Sequence, residues 1–185
     1  MFHESLLRRD DSVLVVVDCQ EKLMPAIHDA ERITRNIGRL VEGARLLGVP
    51  ILVAEQYPKG LGPTVPALVE RLGAGVARFA KLSFSAAAVE AFFDALEETG
   101  RGQVLVVGVE AHICVLQTAL DLSERGMAVQ TACDGVASRD PVHAANALDR
   151  LRHEGVVVTN VESALFEWLA GSDSDEFKTI SRLIR

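Results

Sequence analysis

The chain has 185 residues, 49% of them hydrophobic and 24% charged. That supports a packed core of one domain's usual size and argues against disorder. A formal net charge of -7 argues against nucleic acid, whose phosphates ask for clustered Lys and Arg, and against an anionic membrane surface.

SVLVVVD (12–18) is a continuous β-branched run, which suits a strand buried on both faces. DAERITRNIGRLVEGARLLG (29–48) repeats apolar residues at helical spacing and stops at Gly48. VPILVAE (49–55) is a second buried strand, and QYPKGLGPTVP (56–66) is loop by its Pro and Gly content. GVARFAK (75–81) is a short strand ending at Lys81. SAAAVEAFFDALEETG (85–100) is a helix with a Ser cap and a terminal Gly.

QVLVVGV (103–109) is the next strand, AHICVLQTALDLSERG (111–126) a helix and MAVQTAC (127–133) a strand. PVHAANALDRLRHEG (141–155) is a helix with Pro in its first turn, VVVTN (156–160) the last strand and VESALFEWLA (161–170) the last helix. GSDSDEF (171–177) is a solvated hinge before a C-terminal tail. Alternating strands and helices predict one α/β domain over residues 1–185, with a core of about 10–170. It is a three-layer α-β-α sandwich around a mostly parallel six-stranded sheet. Strand order is not legible in the pattern alone.

Ligands of open α/β sheets bind beyond the carboxyl ends of the strands. The sequence places Asp18, Glu55, Gln56, Lys81, Cys114, Cys133, Asp134, Thr159 and Asn160 at or just past those ends. A thiol becomes a good nucleophile as its thiolate. The first turn of a helix and a neighbouring ammonium from Lys81 are expected to lower the Cys114 pKa. Asp18 is then the group to take the thiol proton and return it to a leaving group. A helical Cys is equally a small buried apolar residue, Asp18 a turn cap, and Lys81 a solvated strand end.

The stretches VLVVVDCQEKLMPAI (13–27), KLSFSA (81–86), GVEAHICVLQTA (108–119) and CDGVASRD (133–140) resemble, in that order, the isochorismatase-like cysteine hydrolases. VAEQYPKGLGPTVP (53–66) looks most like the small isochorismatase domain-containing proteins. The resemblance implies strand order 3-2-1-4-5-6 and a catalytic triad at the positions of Asp18, Lys81 and Cys114. It implies attack by the cysteine on a small amide or related acyl compound through a thioester. It also implies a non-proline cis peptide at Val109–Glu110, aiming the amides of Ala111 or nearby residues and of Cys114 at an oxyanion.

The family's nicotinamidases hold metal with an Asp-x-His-x-x-His motif after the second strand. Here AEQYPKGLGPT carries no histidine, so no catalytic zinc and no other cofactor is expected. Isochorismatase itself lacks the cysteine, which leaves vinyl ether hydrolysis as an alternative rather than the main reading.

Gln20 either points at the pocket or caps the turn after Asp18. Tyr57 and Phe84 either wall a substrate or belong to the core. Glu110 is structural, solvent-facing or chemical. His112 lies two residues from Cys114, and side chains so spaced on a helix do not face each other. Cys19 alternates away from Asp18 into the core. Cys133 is core or a resolving thiol, the latter serving a rival redox or scavenging function; a scaffold without turnover is a third possibility. Three cysteines without framework spacing fit a reducing, cytoplasmic setting. Val13–Val17 is too short for a signal-peptide core or a membrane span. Family likeness, with Leu165, Phe166 and Trp168 on helix 161–170, predicts a homo-oligomer acting on a small molecule.

Overall fold

The structure, a computed structural model, describes residues 3–185. Six strands form one sheet, β1 (Ser12–Val17), β2 (Ile51–Gln56), β3 (Ala77–Lys81), β4 (Gln103–Val109), β5 (Ala128–Ala137) and β6 (Val157–Thr159). Their spatial order is β3-β2-β1-β4-β5-β6, and every pairing is parallel. The three-layer α/β expectation and the 3-2-1-4-5-6 order both hold. The chain reverses direction across the sheet between β1 and β4, and the crevice at such a switch point is where these folds hold ligands.

Strand alternation builds two cores. Val13, Val15, Val17, Val104 and Val106 face one side, and Leu14, Val16, Leu105 and Val107 face the other. On the first side pack Phe92 and Leu96 of α4 (Glu90–Glu98), Leu122 of α5 (Leu116–Glu124), and Ala147 and Leu151 of α6 (Pro141–His153). The second side takes Ile33 and Ile37 of α1 (Ala30–Leu46), with α2 (Pro58–Leu61) a single turn on the way to Leu68 and Leu72 of α3 (Pro66–Leu72). It also takes Leu165 and Trp168 of α7 (Val161–Leu169) and Ile180 of α8 (Phe177–Leu183). Each such Val, Leu, Ile or Phe side chain, fully buried, contributes about 1.5–3 kcal/mol.

Several expectations are corrected. Residues 56–66, expected as loop, contain α2, and α3 follows with Leu68 and Leu72 on its buried face. Ser85 does not cap a helix, because Ala86–Ala88 form a 3-10 turn first and α4 begins at Glu90. β5 runs on to Ala137 past a register shift opposite Val106 and Gly108. The tail after the hinge folds back as α8 and buries Ile180. Leu165 and Trp168 are buried within the chain's own core, and Phe166 packs toward Phe177. Helix 161–170 therefore does not offer the apolar face expected of it.

Gly108 is the close approach that lets the switch point form. It pairs with Val17, has φ +122°, and a Cβ there would lie 2.0 Å from the Val17 carbonyl oxygen. Only glycine fits so near a neighbouring backbone at that φ.

Candidate active site

Four neighbouring strand ends converge at the carboxyl edge of the sheet. β1 ends before Asp18, whose φ of 53° turns the chain and whose amide donates to the Ala54 carbonyl at 2.9 Å. Asp is among the few residues that adopt this left-handed conformation readily. β2 ends at Gln56 and β3 at Lys81, the two in direct register. β4 ends at Val109, the Val109–Glu110 peptide is cis, and Ala111–Val115 form one π-turn that carries Cys114 into α5.

The Lys81 ammonium donates to Asp18 Oδ2 at 2.8 Å, to Gln56 Oε1 at 2.7 Å and to the Phe84 carbonyl at 3.0 Å. These three acceptors match its three donors, and the Ser83 carbonyl stands farther off at 3.4 Å. The side chains of Lys81 and Asp18 are both 0% exposed, so Lys81 is no solvated strand end. Cys114 is 6% exposed, and its sulfur lies 4.0 Å from Gln56 Oε1. Asp18 Oδ1 is buried with no hydrogen-bond partner among the described residues. The structure thus brings together the Asp18, Lys81 and Cys114 singled out from sequence, and adds Gln56.

Electrostatics differ from the expectation. Burial pushes the Cys114 thiol up to about 12, and the negative charge of Asp18 adds to that, against an opposing pull from Lys81. Burial also raises the Asp18 carboxyl, more than Lys81 and the Cys114 thiol lower it. Lys81 acts in the predicted direction, but desolvation of the sulfur is larger. Asp18 and Cys114 are coupled neighbours, and such a pair titrates as a unit.

The remaining candidates separate clearly. Gln20 does not face the site: its Nε2 donates to the carbonyls of Gln56 at 2.9 Å and Gly62 at 2.7 Å, and its Oε1 accepts from the Gln56 amide at 2.8 Å. It is a clamp on the end of β2. Tyr57 and Phe84 are not core, being 51% and 53% exposed beside Lys81. The Tyr57 amide donates to the Lys81 carbonyl at 2.8 Å, and its ring lies across Gly60, where a Cβ would come within 2.3 Å.

Glu110 is buried and bound by Arg139, 2.8 Å to Nη2 and 2.9 Å to its backbone amide. Burial works against its charge, but the Arg139 hydrogen bonds and charge prevail and hold the carboxyl below its ordinary range. Arg139, far off in sequence, gave no sign of this role. The amides of Ala111 and His112 open the π-turn, where a helix leaves its first N–H groups without an intrahelical acceptor. The His112 ring bonds Ser138 Oγ at 2.8 Å and packs on His143.

Cys19 is core, and burial raises its thiol far above the ordinary value. Cys133 is not core but exposed on β5, and all three cysteines are free. No cluster of three or more His, Cys, Asp or Glu able to hold a metal occurs among the described residues. A cavity of about 650 Å³ between residues 6–10 and α7 is lined by none of Asp18, Lys81 and Cys114.

Comparison with known proteins gives a consistent picture. The Isochorismatase domain family matches residues 12–163. Isochorismatase domain-containing protein 2 of Danio rerio is 40% identical over 175 residues, 94% of this chain and 86% of that protein. A solved structure described as the MAR1 ribonuclease of Caenorhabditis elegans superposes with a TM-score of 0.92 at 38% identity, covering 97% of this chain and 92% of that one. YcaC from Pseudomonas aeruginosa, solved with hexane-2,5-diol and covalent acrylamide, superposes with a TM-score of 0.89 at 25% identity, covering 97% and 92%.

Proposed function

The chain belongs to the isochorismatase family, and from that premise we propose that it is a cysteine hydrolase of a small amide or related acyl compound. The observation that carries this reading is the buried group of Asp18, Lys81 and Cys114, in which a carboxylate oxygen without a hydrogen-bond partner adjoins a protonated thiol. A covalent acrylamide in a similar protein is in keeping with a reactive nucleophile on this fold.

The reaction turns on a proton passed between Cys114 and Asp18. Asp18 Oδ1 takes the Cys114 proton as the sulfur attacks the substrate carbonyl carbon. The S–C bond forms, and the C=O π pair moves to the oxygen. We assign the amides of Ala111 or its neighbour His112, and of Cys114, to that oxyanion; one such donor is typically worth about 3–4 kcal/mol of barrier. Asp18 then gives its proton to the leaving nitrogen as the C–N bond breaks, leaving a thioester. Water attacks the thioester, Asp18 takes the water's proton, and the C–S bond breaks. The proton returns to the thiolate and the acid leaves. Lys81 offsets the single negative charge throughout, so the buried site never changes its net charge during proton transfer. No metal or cofactor takes part in these steps.

Around this chemistry we place Tyr57 and Phe84 as apolar walls at the mouth. We also propose a homo-oligomer and a reducing cellular setting; no helix among the described residues is long and apolar enough to cross a membrane. A thiol redox cycle is less well supported, since Cys114 is buried and protonated while Cys133 is exposed without a disulfide. A ribonuclease reading, prompted by the name of one neighbour, runs against the net charge of -7.

The test compares parent protein with Cys114→Ala and Asp18→Asn on a panel of amides, esters and RNA. Intact-mass spectrometry then seeks an acyl adduct on Cys114. The parent alone should turn over an amide or ester. Equal hydrolysis by all three proteins refutes the assignment, and turnover of RNA alone replaces it.

A further inference from the structure

Gln56 has no part in the triad, yet it touches two of its members. Its Oε1 accepts from Lys81 at 2.7 Å and lies 4.0 Å from the Cys114 sulfur. Its Nε2 donates to the Leu82 carbonyl at 3.0 Å. That bond settles which way the carboxamide is turned: nitrogen toward Leu82, oxygen toward Lys81 and the sulfur.

The backbone of Gln56 is fixed as firmly. The Gln20 side chain accepts from its amide at 2.8 Å and donates to its carbonyl at 2.9 Å. A side-chain amide here pairs with a peptide as a neighbouring strand would. β1 has already ended at Val17, so Gln20 continues its edge with a side chain instead of backbone. Lys81 lies in register with Gln56 across the β2–β3 pair, so the two side chains leave the sheet together.

We infer that Gln56 is a positioning residue of the hydrolytic site: clamped by Gln20, its carboxamide oxygen fixes the Lys81 ammonium beside the Cys114 sulfur. This rests on the hydrolase reading for its purpose, though not for its geometry. Lys81 bonds Asp18, Gln56 and Phe84, and from that place its charge and a side-chain hydrogen bond both favour the Cys114 thiolate. Gln56 thereby holds the ammonium where it acts on the sulfur. A glutamate in the same place would supply the same acceptor geometry but also a negative charge. The charged groups facing the sulfur are Asp18 from the end of β1 and Lys81 from the end of β3.

Two variants in a Cys133→Ser background test this, with iodoacetamide as the probe and mass spectrometry reading alkylation of Cys114 from about pH 5 to 10. Gln56→Glu, near isosteric, should slow alkylation about tenfold at pH 8 and move the profile to higher pH. Gln56→Leu removes the acceptor that holds Lys81 in place and should slow alkylation severalfold at the same pH. A general loosening of the fold would expose the buried sulfur and speed alkylation in both variants, the opposite sign. A Gln56→Glu profile that overlies the parent, or a Gln56→Leu protein that alkylates as fast as the parent or faster, overturns the inference. Gln56→Glu decides alone if Gln56→Leu does not fold. Alkylation needs no substrate, so a shifted profile in a protein that hydrolyses nothing refutes the hydrolase reading and leaves the positioning role standing.

Discussion

The Lys81 ammonium rests 2.8 Å from the Asp18 carboxylate, and neither side chain reaches solvent. Burying two charges is unfavourable unless each keeps a partner, and removing one partner leaves the other stranded. Lys81→Met should therefore destabilise the protein by about 3–5 kcal/mol. The double variant Asp18→Asn with Lys81→Met should recover most of that loss, because no lone charge remains. Denaturant unfolding of the parent, both single variants and the double closes the cycle. A double variant no more stable than Lys81→Met would show the pair to be uncoupled.

The proton passed between Cys114 and Asp18 sets the pH dependence of activity. Asp18 has its carboxyl raised, first by burial, so the acid limb of turnover should lie above an ordinary carboxyl value. The thiol, pushed up to about 12, keeps its proton far into the alkaline range. Activity should thus rise through the raised Asp18 value and hold a broad plateau. Asp18→Asn should lower turnover about 10²–10⁴-fold and abolish the acid limb. In the resting enzyme, iodoacetamide should alkylate Cys114 more slowly at pH 7 than it does a free thiol. Faster alkylation would mean a thiolate at rest and would contradict the proton-transfer account.

The fold was legible because its signals are local. Val13–Val17 and Val104–Val107 read as doubly buried strands, and each is buried on both faces. Asp18 and Lys81 were legible as polar ends of apolar runs, and the ordered motifs carried Cys114. What escaped depends on distance along the chain. Arg139 meets Glu110 across 29 residues and Gln20 meets Gln56 across 36; no period or cap marks such pairs. The Cys114 pKa escaped for another reason. A helix start and a lysine are visible in a sequence, whereas the desolvation that outweighs them appears only once the layers are packed.

Glu110 and Arg139 tie the turn before the nucleophile to the strand-five loop. The Glu110 carboxyl is held below its ordinary value of 4.5, its Arg139 bonds outweighing burial. A lowered folded value contributes stability that is present above the unfolded value and lost as pH falls through the folded one. Arg139→Ala should therefore be less stable than the parent at pH 7, and the gap should close as the pH is taken well below 4.5. Paired urea titrations at the two pH values measure it. A gap that does not vary with pH would remove charge from the explanation.

The C-terminal helix α8 packs against the same core as α1 and α7. Ile180 is fully buried there. Ile180→Ala should cost about 2–5 kcal/mol, whereas substitution of an exposed α8 residue such as Lys178→Ala should stay within about 0.5 kcal/mol. Thermal melts of both variants decide whether this segment belongs to the cooperative unit. Equal, negligible effects would show α8 to be an appendage.

Gly108 joins the packing of the sheet to the geometry of the site. A Cβ at this position would stand 2.0 Å from the Val17 carbonyl oxygen, on the residue just before Asp18. Gly126 provides the control, since its φ of +86° is also left-handed but no atom lies within 4 Å of the corresponding Cβ. Gly126→Ala carries backbone strain alone, about 1–3 kcal/mol. Gly108→Ala adds the collision, a further 1–3 kcal/mol or more. Its melting temperature should fall several degrees below that of Gly126→Ala, given about 2–4 °C per kcal/mol for a protein of this size. The collision can be relieved only by moving β1 and β4 apart, which separates Asp18 from Cys114. Gly108→Ala should therefore lose turnover even where it stays folded, and Gly126→Ala should not. If the two variants melt together and turn over alike, the close contact of β1 and β4 does not set the distance on which proton transfer depends.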